Sequence, residues 1–225
     1  MKKHLVLKTT LALGILATGG IVAQQDIQAD TVSQSQKANE AEKAHKLEAY
    51  YKQKAFDPAF VKGRKDRHQH VIEFVVGQVD YEVEVSKEVY ESYVNYKPVH
   101  VFLVKEDGNR EWERSIGGVT KVNNRADTGK HIHLDIKGSK STTSLYFYTG
   151  KDEISLKEVD FRLRQDLIKH HHLYKDGELN KGTIKVTVGS EVHTIKLDEK
   201  LSKDDMNKTI DATQIKSIEV DLKNN

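Results

Sequence analysis

The chain lacks the residues and motifs on which several common kinds of site depend. It has no cysteine among its 225 residues. It can therefore form no disulfide, and it offers neither a thiol nucleophile nor a thiolate ligand for a metal. It also has no Gly-x-Ser-x-Gly elbow, no His-Glu-x-x-His zinc motif and no phosphate-binding P-loop. These absences favour a protein that is not an enzyme and that carries no cofactor.

Long apolar runs are scarce too, with one exception at the N-terminus. Lys2-Lys3 precedes an almost wholly apolar or small stretch at residues 11–23, and Ile27-Gln28-Ala29 provides a cleavage site. The run is shorter than the ~20 residues that a membrane-spanning helix needs. The pattern predicts a signal peptide over residues 1–29, so we expect a secreted, extracellular protein.

An excess of one charge is missing as well. The chain carries 36 Lys+Arg against 34 Asp+Glu, a formal net charge of +2. Removal of residues 1–29 takes away three lysines and one aspartate, which leaves the two signs in balance. Because a nucleic-acid partner selects a basic face, this balance argues against nucleic acid.

One stretch, residues 151–174, organises the rest of the chain. Ser155 and Glu158 form a capping box, which predicts that a helix begins there. Apolar residues at three- and four-residue steps line one face of it: Leu156, Val159, Leu163 and Leu167. Asp160 and Arg164 lie one turn apart, where an ion pair can form. Strands are predicted on both sides, so this is a single long helix lying across a sheet.

Alternating apolar residues predict a set of strands before this helix. A polar tail over residues 30–43 leads into a short amphipathic helix over residues 40–54, and Gly77-Gln78 marks a hairpin. The predicted elements are strands at 71–76 and 79–85, a short helix within 86–96, and strands at 99–105 and 112–119. This pattern alone predicts a small β-barrel.

A second set of strands surrounds the long helix. Residues 123–130 are polar and contain glycine, which predicts a domain boundary, and Gly189-Ser190 marks another hairpin. The predicted elements are strands at 131–136 and 143–149, the long helix, strands at 183–188 and 191–197, a short helix near 204–208 and a strand at 215–222.

The long-helix region also carries a family resemblance. The residues that match a known signature are Lys151, Ile154, Val159, Asp160, Arg164, Leu167, Leu173 and Tyr174. Upstream, Gly117-Gly118-Val119-Thr120 is similar to the core of a first signature, although Ile116 and Arg125 stand where that signature has Tyr and Asn. Both signatures are those of the staphylococcal and streptococcal superantigen toxins. The sequence around them most resembles that of the staphylococcal superantigen-like proteins, a secreted immune-evasion family. The resemblance extends from about Leu47 to the C-terminus.

The resemblance implies an α+β fold in two parts. These are an N-terminal OB-fold β-barrel and a C-terminal β-grasp domain, with one long helix packed on a mixed sheet. The strand and helix order given above matches the second of these domains. We therefore expect a signal peptide at 1–29, a tail and short helix at 30–54, an OB-fold domain at 55–124 and a β-grasp domain at 125–225.

His131 and His133 are the best candidates for a metal site. Alternate residues of a strand face one side of a sheet, as two ligands would have to. A solvated strand face shared with Lys130 and Asp135 accounts for the same pattern. No third ligand lies at a sequence spacing that is typical of a zinc site. We predict no metal site.

Two functions known in the toxin family depend on residues that this chain has changed. Some superantigens hold a bridging zinc with a His-x-Asp pair on the last strand, where this chain has Ser217-Ile218-Glu219. Several superantigen-like proteins bind sialylated glycans through a run in which this chain keeps Thr194. Lys196, Ser202 and Asp205 replace the family's Glu, Gln and Arg. An Asp repels the sialate carboxylate that an Arg pairs with. Thr194 is thus a weak glycan candidate only, and we expect no sialylated-glycan partner.

A binding protein remains. The resemblance implies a virulence factor that binds and blocks a host immune protein, such as an immunoglobulin, a complement component, a leukocyte receptor or a protease. The alternatives are a superantigen that cross-links T-cell receptor and class II MHC, or a sialylated-glycan lectin. Candidate contacts are the tyrosines of residues 81–96 and the hairpin tip at 106–110, although we expect Tyr81 and Tyr90 to pack into the barrel. Pairing of sheet edges between copies would give a homodimer.

Overall fold

The computed structural model describes residues 23–67, 70–106, 113–122, 129–138 and 141–223, with side chains from residue 34 onwards. The chain divides into two compact units, residues 1–38 and 39–225. Of the first unit the structure describes only the beginning of helix α1 (Ala23–Tyr51), so most of the predicted signal peptide lies outside the described residues. Within the described ranges, no helix combines the length and the apolar content needed to cross a bilayer.

Helix α1 corrects the expectation of a polar tail followed by a short helix from residue 40. The helix is continuous over Ala23–Tyr51. The tail carries no apolar stripe, so hydrophobic periodicity gave no signal there, but its Ala, Gln, Glu and Lys residues are good helix formers. The predicted apolar side at the C-terminal end is present, with Ala44, Leu47 and Tyr51 buried.

The segment after α1 forms the OB-fold part. Its elements are β1 (Gly63–Lys65), β2 (Val71–Val76), β3 (Val79–Glu84), α2 (Lys87–Ser92), β4 (Val99–Val101), β5 (Glu113–Ile116) and β6 (Val119–Lys121). The strands form a four-stranded sheet in the order β1-β2-β3-β5 and a separate β4-β6 ladder, with bridges at Phe56–Leu103 and Val61–Val99. The described strands therefore do not close into one continuous barrel. Their core includes Ile72, Phe74, Tyr81, Val83, Val101 and Leu103.

Two predicted strands of this part are shorter than expected. The strand at 99–105 ends at Val101, and the strand at 112–119 is split into β5 and β6 by Gly117 and Gly118. Both glycines have positive φ, at 58° and 77°. A Cβ at Gly117 would lie 2.1 Å from the carbonyl oxygen of Met206, and one at Gly118 would lie 2.5 Å from that of Phe102. The first signature is therefore a turn that only glycine fits.

The remaining residues form the β-grasp part. Its elements are β7 (Lys130–Lys137), β8 (Thr142–Thr149), β9 (Glu153–Ser155), α3 (Leu156–His171), β10 (Thr183–Val188), β11 (Glu191–Lys196), α4 (Lys203–Met206), β12 (Thr209–Asp211) and β13 (Ile215–Asp221). Five strands form a mixed sheet in the order β11-β10-β13-β7-β8, in which β13 and β7 are parallel. The predicted α+β class and the long helix on a mixed sheet are confirmed. The small β9-β12 ladder was not predicted.

Helix α3 begins and packs as its sequence predicts. The Ser155 side chain caps it by accepting a hydrogen bond from the Glu158 backbone N–H. The four apolar residues of the predicted stripe are all buried, and they belong to one core with the inward residues of the sheet, such as Ile132, Ile184 and Val220. One face of the sheet is therefore covered by α3, and the other carries the outward residues of the strands.

Candidate binding surfaces

The ion pair of α3, Asp160 and Arg164, is part of a buried network and not of a binding surface. Nε of Arg164 donates to Oδ1 of Asp160 at 2.6 Å, and both side chains are buried. The Tyr51 hydroxyl from α1 donates to Oδ2 of Asp160 at 2.6 Å. The Arg164 guanidinium also donates to the Tyr174 hydroxyl and to the carbonyl oxygens of Lys196, Leu197 and Glu199. The signature residues thus connect α1, α3 and the end of β11.

A buried lysine lies where the two β-rich parts meet. Nζ of Lys157 donates to the Ser115 hydroxyl at 2.8 Å and to the Ile116 carbonyl oxygen at 2.6 Å, so α3 is bonded to β5. Burial lowers the pKa of Lys157 from its ordinary 10.5 to about 7. Its perturbed pKa follows from desolvation at this junction, where its amine is bonded to groups of β5.

Glu106 at the start of the predicted hairpin tip also belongs to this junction. It is buried, and it accepts hydrogen bonds from the Tyr50 hydroxyl, at 2.8 Å, and from Nζ of Lys200. Residues 107–110, the rest of the tip, lie outside the described residues. Glu106 is thus a structural residue and not an exposed contact.

The glycan candidates lie on the edge strand β11 and on the short helix α4. Thr194 is exposed on β11 opposite Lys185, and Lys196 is held near Glu199 at 3.3 Å. The Ser202 side chain caps α4 and donates to Oδ2 of Asp205 at 2.7 Å.

Asp205 is held in its ionised form. Partial burial opposes its ionisation, but hydrogen bonds from Lys208, at 2.7 Å, and from Ser202 outweigh that effect and lower its pKa. Lys208 supplies a positive charge one turn from Asp205. Lys208 lies outside the glycan-binding run, so no sequence pattern indicated it. A sialate approaching this edge meets an acid that is already paired.

The two candidate metal ligands lie together on the outer face of the sheet. His131 faces Tyr148 and His133 faces Tyr146 across the β7-β8 ladder, with His131 and Tyr148 ring centroids 5.1 Å apart. Nδ1 of His133 is 3.6 Å from Asp135. Among the described residues, no group of three His, Asp or Glu side chains is placed to hold a metal ion. The cluster is an exposed aromatic patch.

Most tyrosines of residues 81–96 are packed in the OB-fold part. Tyr81 and Tyr93 are buried, and Tyr90 is partly buried against the same core with its hydroxyl bonded to the Asp66 carbonyl oxygen. The expectation that Tyr81 and Tyr90 pack inside is confirmed. Tyr96 differs, because its side chain is 63% exposed.

Tyr96 and Phe60 are both exposed and both have strained backbone, and they are called the OB-fold pair below. Phe60 is 60% exposed, and the two residues have φ of 57° and 63°, a region that large L-residues rarely adopt. The backbone around them is fixed, because Val61 bonds to Val99 at 2.9 Å and the Tyr96 N–H donates to the Gly63 carbonyl oxygen at 2.8 Å. Phe60 and Tyr96 thus flank the same short pairing of two segments. Sequence reasoning missed Phe60, since positive φ has no signature outside glycine and asparagine.

A buried polar atom adjoins this pair. The rings of Phe60 and His100 are 6.1 Å apart, and Nδ1 of His100 is buried with no hydrogen-bond partner in the described part of the chain. Burial lowers the pKa of His100, and the nearby Lys151 charge acts in the same direction. Buried polar groups without partners are uncommon in native proteins and mark sites of strain or function.

Comparison with known proteins identifies the family. The staphylococcal superantigen-like OB-fold domain matches residues 45–123, and the staphylococcal/streptococcal toxin β-grasp domain matches residues 130–222. Staphylococcal superantigen-like 1 of Staphylococcus aureus (strain Newman) is 35% identical over 234 aligned residues, which span 99% of this chain and 100% of that protein. This chain belongs to the staphylococcal superantigen-like family.

Solved structures of superantigen-like proteins share the fold. One is from Staphylococcus aureus, in complex with 3-N-acetylneuraminyl-N-acetyllactosamine. It has a TM-score of 0.72 at 29% sequence identity, and the alignment covers 81% of this chain and 99% of that structure's chain. Another, from Staphylococcus aureus in complex with sialyl-Lewis X, has a TM-score of 0.73 at 29% sequence identity. That alignment covers 81% of this chain and 100% of the structure's chain. Sialylated glycans are ligands of those superantigen-like proteins. The relatives therefore do not support the expectation that this chain has no glycan partner, which stays a prediction based on Asp205.

Proposed function

We propose that this superantigen-like protein is a secreted, non-enzymatic virulence factor that binds and blocks a host immune protein through its OB-fold part. The observation that carries the proposal is the exposed pair Phe60 and Tyr96, each on backbone with positive φ. Backbone strain of this kind costs of order 1–3 kcal/mol and is concentrated at binding and catalytic positions. Aromatic side chains are also the residues most enriched in protein interfaces.

The chemistry of the rest of the chain supports a binding role. The ionisable side chains with the largest pKa shifts around α3 are bonded into a buried network, as described for Arg164 and Lys157. Such a network fixes the junction of the two parts, so these shifted pKa values have a structural cause. Recognition then falls to the solvent-facing aromatic residues.

A pull-down from human serum and from neutrophil lysate tests the proposal. The immobilised protein is compared with Phe60→Ser/Tyr96→Ser and, as a matched control, with Tyr146→Ser, which removes an exposed aromatic residue of the β-grasp sheet. Each is tested with and without neuraminidase treatment of the sample. We expect protein bands that survive neuraminidase, that the double variant loses and that the control keeps.

Two outcomes would favour the other candidates. Bands that disappear on neuraminidase treatment would indicate a sialylated-glycan lectin, in agreement with the ligands of the two solved relatives. Vβ-selected T-cell growth in the presence of antigen-presenting cells would indicate a superantigen. Retention of all bands by the double variant would show that the OB-fold pair is not the contact surface.

A further inference from the structure

The two edges of the β-grasp sheet differ in how they are protected from pairing with another strand. Edge strands of natural proteins are usually blunted by charged residues, proline or a covering element. β11, at one edge, has exposed Glu191 and Lys196. β8, at the other edge, reads TTSLYFYT over its eight residues and has no charge, no proline and no glycine. β8 is the unprotected edge.

One end of β8 is closed by a side chain from the helix. Arg162 of α3 donates through Nη2 to the Tyr148 carbonyl oxygen at 2.7 Å, and its guanidinium lies 4.6 Å from the Phe147 ring centroid. The Tyr148 carbonyl therefore points away from β7. Because alternate residues of a strand direct their backbone groups to the same side, Ser144 and Tyr146 also direct N–H and C=O to the free side. No described residue pairs with those four groups.

The side chains around this free segment are large and exposed. Leu145 is 39% exposed and Tyr146 is 69% exposed. Leu145 shares the α3-facing side of the strand with Phe147, and Tyr146 shares the outer side with Ser144. A strand added at this edge would cover apolar surface on both faces of the sheet.

We propose that the β8 edge pairs with β8 of a second copy of this chain, about a two-fold axis at Leu145. In this register Ser144 faces Tyr146 of the second copy, and Tyr146 faces its Ser144. The two pairs would make four backbone hydrogen bonds. Leu145 meets Leu145 in the closely spaced pair between them. On the outer side of the sheet, each large Tyr146 faces a small Ser144. On the side that faces α3, Leu145 faces Leu145, and no like charges lie opposite each other.

The self-complementary register is what favours a second copy over a foreign strand. An uncharged strand offers no charge by which to select a partner of another sequence, whereas its own sequence satisfies the twofold pairing at each central position. Pairing of this isologous kind closes at a dimer, because both copies use the same edge strand and each β8 edge is then covered. The dimer would carry one continuous ten-stranded sheet and two copies of the OB-fold pair Phe60 and Tyr96.

Single-cysteine variants test the register, since the chain contains no cysteine of its own. In the proposed pairing, the Cα atoms of the two Leu145→Cys residues are about 4.5 Å apart, within the range that a disulfide spans. The two Ser144→Cys residues are about 8 Å apart, which is too far. We expect mild oxidation to cross-link Leu145→Cys into a covalent dimer and to leave Ser144→Cys, and Val192→Cys on β11, without a cross-link.

Sedimentation of the purified protein over a range of concentrations tests the dimer itself. We expect a dimer that Leu145→Lys shifts to monomer, because it opposes two like charges, and that Val192→Lys on the other edge leaves intact. A protein that remains monomeric at the highest concentration reached, or equal cross-linking of all three cysteine variants, overturns the proposal. A monomer whose Leu145→Lys variant loses a captured serum protein also overturns it, since the edge would then take a host strand. The serum pull-down with Phe60→Ser/Tyr96→Ser is independent of these results.

Discussion

The junction around α3 and the exposed pair of the OB-fold part show two ways in which one fold holds unfavourable groups. At the junction, charged side chains such as Asp160 and Arg164 are buried, and each is offset by hydrogen bonds from neighbouring elements. At Phe60 and Tyr96, the unfavourable feature is backbone strain together with exposed aromatic surface. The two side chains remain exposed, although hydrogen bonds fix the backbone beside them. The signature residues therefore maintain the domain junction, whereas the exposed residues Phe60 and Tyr96 form the surface that we propose for recognition.

The largest expected effect comes from breaking the junction at Arg164. Arg164→Met keeps much of the side-chain volume but leaves the Asp160 carboxylate buried without its main partner. Removing one member of a buried pair costs about 3–5 kcal/mol. We expect the free energy of unfolding, measured by urea denaturation, to fall by that amount.

An exposed ion pair provides the matched control. Lys137→Met removes the partner of Glu219, a pair 3.1 Å apart with both side chains about half exposed. Exposed pairs contribute at most about 1 kcal/mol, so this variant should unfold nearly as the parent does. Equal losses in Arg164→Met and Lys137→Met would contradict the view that the junction depends on compensated burial.

A smaller effect is expected from Lys157, as a slope in the dependence of the free energy of unfolding on pH. Because burial lowers its pKa from 10.5 to about 7, the unfolded chain binds more protons than the folded chain between these values. Stability therefore rises with pH in this window, by up to about 1.4 kcal/mol per pH unit. Below about pH 7 both states are protonated and the contribution is constant. Lys157→Met should remove this slope between about pH 7.5 and 9.5.

The comparison with an exposed lysine isolates the effect of burial. Lys203, which is exposed and pairs with Glu84 at 2.9 Å, can be changed to Met in the same way. Urea denaturation at several pH values should give Lys203→Met the slope of the parent protein. A slope that survives in Lys157→Met would mean that another group dominates the pH dependence.

Most of the fold could be predicted because the strands and α3 obey strong local rules. The capping box at Ser155 and the apolar stripe placed α3 within a residue of its observed start, and alternation placed β2, β3 and β10. The incorrect element bounds lie where the pattern of apolar residues gives no information. The first half of α1 is polar, and the break between β5 and β6 depends on the close approach of Met206 to Gly117, a contact far apart in sequence.

The candidate surfaces were less predictable for a related reason. The sequence suggested Thr194, His131 and the tyrosines by residue type, but type does not state which side chains are exposed. The sequence predicted that Tyr81 packs inside, but no pattern marked Tyr96 as exposed, and only the fold shows that difference. Lys208 likewise pairs with Asp205 through the short helix α4, which the glycan motif does not include.

The smallest expected effect tests the strained pair directly. Tyr96→Gly removes a mostly exposed side chain and places glycine at φ 63°, where glycine has no steric penalty. A left-handed conformation costs other residues roughly 1–2 kcal/mol, so the variant should lose no stability and gain up to about 1 kcal/mol. Thermal and urea unfolding measure this change. Val94→Gly, at an exposed residue without positive φ, is the control and should be destabilised or neutral.

Stability and binding should respond differently to Tyr96→Gly. If Tyr96 is kept in a strained conformation for recognition, Tyr96→Gly should be as stable as the parent protein and should lose the serum protein that the parent captures. A variant that is clearly destabilised would show that the Tyr96 ring supports the OB-fold part. A variant that is stable and binds fully would show that the strain has no connection with recognition. Either result would remove the contrast between a buried structural junction and an exposed recognition surface.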